Sequence, residues 1–321
     1  MNDSKKSFLS SLKNGERMFP FVEKRKIFFW ITCAFFALGI LCMVIRGFAW
    51  DTDFIGGTAM EIHIGKTVDP AVVSEITEIT EEIIGKKVSS VRKTGDRGDD
   101  VLIKCTEIPT EVRDEVFEAL KDRYGLTDAD RLSVSSVGGS ISADFRRSAV
   151  LSVCIAVALM LGYITFRFSF LSGIAAILCL IHDLFAVLFC YSLFGLPVNS
   201  NIIAALLTIL GYSINATIIV FDRVRENRKL EPGDPFPEHV NRGVNQTLMR
   251  SINTTITTLL TIVMIYLFGV TSIREFILPL IVGILAGLYS SVCLAGNLWN
   301  LLSKNGTRLR VKEPEKAKSK K

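Results

Sequence analysis

The stretch from Asn199 to Glu226 reads NSNIIAALLTILGYSINATIIVFDRVRE, an apolar run long enough to span a membrane that ends in charged residues. Positions spaced by four, three and four residues lie on one face of an α-helix. An amide in hydrocarbon is costly unless it is hydrogen-bonded, so we expect a polar face here to contact other helices or a wet cavity. The small or polar residues at this spacing are Ala204, Thr208, Gly211 and Asn215.

Charged residues close the same stretch: Asp222, Arg223, Arg225 and Glu226. Two interpretations of this cluster are open. It is an ordinary border of a membrane helix, where long side chains reach the headgroup region, or it is an ionic latch on the cytoplasmic side. The sequence pattern favours neither.

Composition indicates a membrane protein. The chain has 321 residues, of which 49% are hydrophobic, and its mean hydropathy is +0.39, which is too apolar for a soluble protein with one core. Apolar runs of roughly twenty residues span a bilayer. We predict six transmembrane helices, at Ile27–Phe48, Ala149–Phe166, Phe170–Phe194, Ile202–Phe221, Ile252–Phe268 and Phe276–Leu302.

The distribution of lysine and arginine predicts the orientation of these spans. Basic residues concentrate before the first span, between the fourth and fifth spans, and after the sixth. The two short turns on the other side, residues 195–201 and 269–275, contain one basic residue, Arg274. Because positively charged short loops stay in the cytoplasm, we predict that both termini are cytoplasmic. The net charge of +5 comes mainly from these flanks, which favours contact with anionic lipid over nucleic-acid binding.

The predicted spans divide the chain into five segments. These are a cytoplasmic N-terminal tail at residues 1–26, a first transmembrane helix at 27–48, an exported domain at 49–147, transmembrane helices two to six at 148–302, and a basic cytoplasmic tail at 303–321. The first span lacks a clear cleavage site, so we predict a retained anchor.

The exported segment has the pattern βαββαβ. Strands are predicted at Thr58–Ile64, Lys87–Lys93, Val101–Thr106 and Leu132–Val137, with helices that begin near Pro70 and Pro109. This order predicts an α+β ferredoxin-like domain whose two helices cover one face of the sheet. The predicted fold class is therefore an all-α six-helix membrane bundle with this domain inserted after the first helix.

Residues typical of catalysis or metal binding are sparse. His63 stands alone on a predicted strand, which is typical of an ordinary surface or packed residue. The seven cysteines have no metal-site spacing, and six of them lie within apolar spans as small fillers. We expect no metal, no cofactor and no enzymatic activity.

An ionisable pair, His182-Asp183, lies near the middle of the third span. A histidine titrates near neutral pH, and a neighbouring acid shifts its pKa, so this pair is a candidate to accept and release protons. The alternative is a hydrogen-bonded centre that holds helices together. The depth of the pair in the membrane favours a function.

A second polar face follows the fifth span. Arg250, Thr254, Thr257 and Thr261 repeat the spacing of four, three and four seen in the fourth span. Two such faces in contact form a hydrated polar seam between helices. Alternatively, the threonine hydroxyls only satisfy backbone carbonyls of their own helix, as is frequent in membranes.

Several motifs together resemble the SecF members of the bacterial SecD/SecF family, over nearly the whole chain. They include Asp53-Phe54-Ile55-Gly56-Gly57 after the first span, Val137-Gly138 before Phe145-Arg146-Arg147, and His182-Asp183. The longest matches are AALLTILGYSINATIIVFDRVREN at 204–227 and NQTLMRSINTTITT at 245–258. Ordered motifs at matching intervals are more specific than any one of them alone.

The resemblance implies one six-helix half of a resistance-nodulation-division transport unit in the bacterial cytoplasmic membrane. It implies a SecD chain as partner, with the SecY channel and the SecA motor nearby, and an unfolded polypeptide as substrate. Such proteins are thought to use the proton-motive force, and Arg250 matches the functional arginine of the family. Asp53, Gly56 and Gly57 are expected to shape the link between anchor and domain.

One residue departs from the family pattern. Asn215 is followed by Ala216, where well-studied relatives carry a proton-carrying aspartate. We expect His182-Asp183 to carry the coupling; acids on the partner, weak coupling or another ion are the alternatives. An exporter of small molecules or lipids from the same superfamily is the second functional class, although its exported domains would be larger. An intramembrane enzyme ranks last, since no nucleophile or metal triad accompanies His182-Asp183.

Overall fold

The computed structural model describes residues 18–95 and 98–305. Within these ranges, six helices are long and apolar enough to cross a membrane, as predicted. The tail predicted at 303–321 lies almost entirely outside the described residues, and so does most of the tail predicted at 1–26.

The helices are, in chain order, α1 (Arg25–Arg46), α2 (Thr52–Ile55), α3 (Pro70–Ile84), α4 (Thr110–Tyr124), α5 (Gly139–Arg167), α6 (Phe170–Phe194), α7 (Asn201–Leu230), α8 (Phe236–Phe268), α9 (Thr271–Tyr289) and α10 (Gly296–Asn305). A π-helix, Ser290–Ala295, joins α9 and α10 into the sixth span. The strands are β1 (Ala49–Trp50), β2 (Gly57–His63), β3 (Ser90–Thr94), β4 (Asp100–Cys105), β5 (Arg131–Val137) and β6 (Pro197–Val198).

Three helices are much longer than their apolar runs. The run predicted at 149–166 belongs to α5, which already begins at Gly139. The other two are α7 and α8. The run predicted at 202–221 belongs to α7, which continues to Leu230, and the run at 252–268 belongs to α8, which begins at Phe236. Hydropathy detects only the part of a helix that is in hydrocarbon. The charged and polar residues beyond it favour a helix as well, so α7 and α8 both extend past the membrane on the side away from the sheet.

The third and sixth spans form the interior of the bundle, whereas α1, α5 and α8 are largely exposed. Two apolar clusters fill the bundle. One contains Val187, Tyr191, Ile202 and Ile209 near the sheet, and the other contains Cys179, Phe221, Val224 and Val292 further away. Between these two clusters lies a layer of polar side chains, described below.

A four-stranded sheet lies between α1 and α5 in the chain. Its strand order is β3-β4-β2-β5 and every pairing is antiparallel, with Met60 opposite Ile103 on one side and Val134 on the other. Both helices between the strands pack on one face, since Ile76 of α3 and Phe117 of α4 share a buried core with Met60. The chain order in this unit is β2, α3, β3, β4, α4, β5.

Residues next to the first span hold the sheet to the bundle. Strand β1 pairs in parallel with β6, which precedes α7. The Asp51 carboxylate binds the Lys104 ammonium of β4 at 2.5 Å, and both side chains are buried. Separating the two partners of a buried ion pair would leave each charge buried and unpaired, which is costly. This contact therefore constrains the position of the sheet relative to the bundle.

The segment before α1 is also part of the packed structure. Phe21 and Val22 are buried in the cluster away from the sheet. The amide side chain of Asn241 accepts from the backbone of Phe21, while Asn245 both accepts from and donates to the backbone of Phe19. The hydropathy of these residues did not predict these hydrogen bonds between α8 and the segment before α1.

The histidine on β2 has a partner that the sequence did not indicate. His63 Nδ1 lies 2.6 Å from the Asp100 carboxylate on β4, and this hydrogen bond raises the pKa of His63 above its ordinary value of 6.5. A raised pKa in the folded state means that the stabilisation is complete below pH 6.5 and is lost as the pH rises through the folded value.

Replacing Asp100 with Asn should return the His63 pKa toward 6.5, because the acceptor charge is removed. A proton titration followed by NMR of histidine-labelled protein measures this, since the chain has three histidines. An unchanged His63 titration in the variant contradicts the assignment.

Candidate functional site

The DFIGG motif forms the joint between the first span and the sheet. Asp51 caps the short helix α2 by accepting from the Thr52 backbone N–H at 2.6 Å. Asp53 instead reaches across to the fourth span, where its Oδ2 accepts from the Ser200 backbone N–H at 2.8 Å. Arg146 of α5 donates to the Phe54 carbonyl. The motif therefore contacts two further spans.

Glycine is required at the end of this motif. Gly56 and Gly57 have φ values of 77° and 139°, which L side chains rarely adopt. A Cβ on Gly57 would also clash with the carbonyl oxygen of Cys105 on the neighbouring strand. The close approach of the two backbones explains why the chain enters the sheet through glycine.

His182 and Asp183 lie in the polar layer inside the bundle. His182 Nδ1 is 2.9 Å from Asp183 Oδ1, and Asp183 is fully buried. The second carboxylate oxygen accepts from Ser213 of α7 and, at 2.8 Å, from Ser290 at the start of the π-helix. Three spans therefore share one carboxylate. Ser213 and Ser290 were not predicted, because a serine in a span is common and only tertiary contact distinguishes these two.

An aromatic shell surrounds the histidine. The ring of His182 lies between 5.6 and 6.0 Å from the rings of Phe35, Phe36 and Tyr289. The Tyr289 hydroxyl donates to the Phe28 carbonyl at 2.9 Å, which ties the first span to the sixth. The π-helix begins at the residue after Tyr289, and π-turns in helices are frequent at functional sites.

The small and polar residues of the fourth span lie on a different face of α7. We call Ala204, Thr208, Gly211 and Asn215 the α7 stripe; all four are exposed on the chain. Ser213 points into the bundle, two residues from both Gly211 and Asn215 and so on the opposite side of the helix. Among the described residues, no atom lies within 4 Å of a Cβ added to Gly211, so no other described helix packs closely against the stripe at this point.

The polar residues of the fifth span are exposed as well. We call Arg250, Thr254, Thr257 and Thr261 the α8 stripe. Its three threonine hydroxyls donate to carbonyls of their own helix, and Thr208 of the α7 stripe does the same. Backbone satisfaction, the second of the two interpretations, therefore describes the threonines of this chain.

The two stripes lie side by side. Tyr212 of α7 donates to Thr255 of α8 at 3.3 Å, and Asn227 donates to Gln246 at 2.9 Å. These contacts run the helices antiparallel and place the middle of one stripe level with the middle of the other. Together the stripes form one exposed polar surface, which we call the stripe surface. His182-Asp183 and Arg250 are thus separate features and not one site.

The charged cluster at the end of α7 is partly internally paired. Arg223 binds Glu226 at 2.6 Å and donates to Gln246 of α8 at 2.7 Å. Asp222 lies 3.4 Å from Arg167, and Arg225 donates to the Arg167 carbonyl at 3.0 Å. The cluster therefore joins the ends of α5, α7 and α8 on the side away from the sheet.

Metal-type ligands converge once among the described residues, in His63, Asp99 and Asp100, with ligand atoms within 4.8 Å of one another. The histidine nitrogen Nδ1 is already engaged by Asp100. This group lies at the end of β2 furthest from the DFIGG motif, and no other observation at it points to an ion.

These features define a multi-span membrane protein with a small α+β unit held to the bundle by a glycine motif and with an exposed polar surface on two of its described spans. The family model for the C-terminal region of the protein export membrane proteins SecD/SecF matches residues 116–305. The chain belongs to the SecD/SecF family.

Relatives are similar over most of their length. The protein translocase subunit SecF of Petrotoga mobilis is 34% identical, over 86% of this chain and 93% of the relative. SecF of Acidaminococcus fermentans is 36% identical, over 88% of this chain and 97% of the relative. These relatives are named translocase subunits and not enzymes.

A solved structure has the same fold. The crystal structure of SecDF from Thermus thermophilus, described as a translocon-associated membrane protein, matches with a TM-score of 0.80 and 36% identity. The match covers 91% of this chain but only 39% of the SecDF chain. The chain therefore spans less than half the length of that SecDF chain.

Replacing Gly57 with Ala should lower the free energy of unfolding by about 1–3 kcal/mol or more. The added Cβ would be strained at this φ and would also clash with the carbonyl oxygen of Cys105. Gly65 is the matched control, because its φ is 72° and no atom lies within 4 Å of an added Cβ. Thermal unfolding of the purified chain in detergent measures the difference. Equal losses in G57A and G65A would show that the Cys105 contact contributes nothing.

Proposed function

We propose that the chain is an accessory subunit of the Sec translocase that acts with a SecD-like chain and uses the proton-motive force to promote protein export. The observation that carries this proposal is the exposed stripe surface. Polar and small residues in the middle of two spans are costly against lipid and are typical of helix contacts. A second six-helix half that covers this surface completes the transport unit.

The sheet unit is proposed to be a ferredoxin-like domain on the outer side of the cytoplasmic membrane. Its chain order and its strand order β3-β4-β2-β5, with both helices on one face, support this assignment. The basic residues at Arg223, Arg225, Arg228 and Lys229 lie at the opposite end of α7, which supports cytoplasmic termini. The SecY channel, SecA and an unfolded polypeptide are the proposed further partners, and the subunit itself catalyses no reaction.

Coupling to the gradient is proposed to involve two places. Arg250 lies on the stripe surface, where an acid from the partner can face it. Asp183 is the carboxylate in the middle of the described spans, and Ala216 cannot take up a proton. Asp183 lies on the third span and accepts hydrogen bonds from the fourth and sixth spans. Such contacts suit a carboxylate whose protonation changes how these three spans pack.

The exporter alternative has less support. An exporter of amphiphiles needs a substrate cleft in its exported domains. The polar cleft under this sheet, lined by residues such as Arg92, Lys104 and Glu275, encloses about 190 Å³ and is charged. That is smaller than the ordinary size of a ligand pocket, roughly 300–1,000 Å³, and its lining is mostly polar, with Leu102 and Pro197 among the few apolar residues.

A bulky residue in the stripe surface tests the partner contact. Gly211 and Gly162 are both exposed glycines within spans, and neither has an atom within 4 Å of an added Cβ. Gly211→Leu should reduce co-purification of the SecD-like chain from native membranes roughly tenfold, as for a residue central to an interface. Gly162→Leu on α5 should leave it unchanged. Equal recovery with both variants, or a homotrimer without a SecD-like chain, contradicts the proposal.

Asp183→Asn tests the coupling. It should abolish the stimulation of export by a proton gradient in membrane vesicles while the complex still forms. The control is the double variant Ser213→Ala with Ser290→Ala, which removes hydrogen bonds to the carboxylate but keeps its ability to bind a proton. If D183N keeps the stimulation, or if the serine variant loses as much, Asp183 has only a packing role.

A further inference from the structure

Asp53 holds the outer end of the fourth span. Its carboxylate accepts from the backbone N–H of Ser200, the residue immediately before α7, and the Ser200 side chain makes no capping bond of its own. The first amides of a helix lack partners within the helix and carry the positive end of its dipole. A carboxylate at this place therefore both satisfies a donor and is attracted to the helix end.

The backbone around Asp53 is fixed to the sheet. Two residues earlier, Asp51 forms the buried ion pair with Lys104 of β4, and four residues later Gly57 begins β2 with its backbone against Cys105. Asp53 cannot shift independently of the sheet, because both neighbours are held by buried contacts. Its carboxylate is thus a rigid projection of the α+β unit toward the bundle.

The helix that Asp53 contacts bears both polar features of the bundle. From Ser200, Ser213 and the bond to Asp183 lie about three to four turns along α7, and Asn215 of the stripe surface lies half a turn further. A helix transmits an axial shift or rotation along its length, because its backbone hydrogen bonds hold it as one body. A displacement of the sheet at Asp53 would reach both places.

We propose that Asp53 is a positioning residue that couples movement of the α+β unit to α7, and through α7 to the Asp183 centre and the stripe surface. This inference rests on the proposed function. Asp53 passes displacement through one charge-assisted hydrogen bond and takes no part in proton transfer.

The matched control is a cap of the same kind inside the α+β unit. Asp69 caps α3 by accepting from the Val72 backbone N–H at 2.9 Å, and it contacts no span. Asp53→Ala and Asp69→Ala should lower the melting temperature similarly, since each removes one helix cap. Only Asp53→Ala should lower the ratio of export with a proton gradient to export without it, by roughly fivefold or more. Asp53→Asn should be intermediate, because an amide oxygen still accepts from Ser200.

The contact can also be removed from the other side. Ser200 has a φ of −53°, which proline can adopt, so Ser200→Pro deletes the N–H donor and leaves Asp53 in place. In a double-mutant cycle, the combination of Asp53→Ala and Ser200→Pro should lose no more of the gradient ratio than either change alone.

Two outcomes overturn the coupling role of Asp53. One is a wild-type gradient ratio in Asp53→Ala; the other is an equal loss in Asp69→Ala. Additive losses in the cycle would also exclude the Ser200 contact. A wild-type chain that gives no gradient-dependent stimulation would instead refute the proposed function, so the two failures are distinguishable.

Discussion

A carboxylate inside a membrane bundle has to be paired, and the pairing of Asp183 determines how the interior spans meet. Its two oxygens are occupied by His182, Ser213 and Ser290, which belong to the third, fourth and sixth spans. Removing the fourth or the sixth span would take away one of the two serine hydroxyls that donate to this buried carboxylate. The apolar clusters on either side fill the space between the helices, but apolar contacts allow one helix to shift along another. Three hydrogen bonds to one carboxylate instead fix the relative positions of the helices.

The fourth span presents two chemically different faces because of this centre. Ser213 donates to Asp183 on the inner face, so the small residue Gly211 and the polar residue Asn215 lie on the outer face. In an isolated chain that outer face would be exposed to lipid. The same helix therefore contributes to the stability of this chain and, in the proposed complex, to contact with a second chain. A substitution on one face is not equivalent to a substitution on the other.

The joint after the first span has a comparable double role. Within the nine residues from Ala49 to Gly57, one carboxylate pairs with the sheet and the next one reaches the fourth span. Such a short segment cannot act as a flexible linker, because its glycines are enclosed by backbone and not by solvent. The α+β unit and the bundle are accordingly connected by a stiff element.

Features that depend on local composition could be predicted from the order of the amino acids alone. Six apolar runs, their punctuating charges and the alternation of strands and helices follow from the hydrophobic period, which each segment carries independently of its neighbours. The family resemblance could also be inferred from the sequence, because its motifs occur in a fixed order along the chain. The lengths of α5, α7 and α8 were underestimated, because hydropathy identifies only the apolar part of a helix and not the polar turns that continue it.

Which polar residues contact one another depends on how whole helices and strands pack, and the sequence did not predict it. The spacing of Gly211 and Asn215 showed that they share a face, but whether that face is inside or outside depends on where Ser213 finds Asp183, thirty residues away. Likewise, His63 stands alone in the sequence, but β4 brings Asp100 beside it. Asp53 was expected only to shape the link between anchor and domain, and its contact with Ser200 appears only in the folded chain. Contacts between residues far apart in the chain are set by the packing of whole helices and strands, and no local pattern contains them.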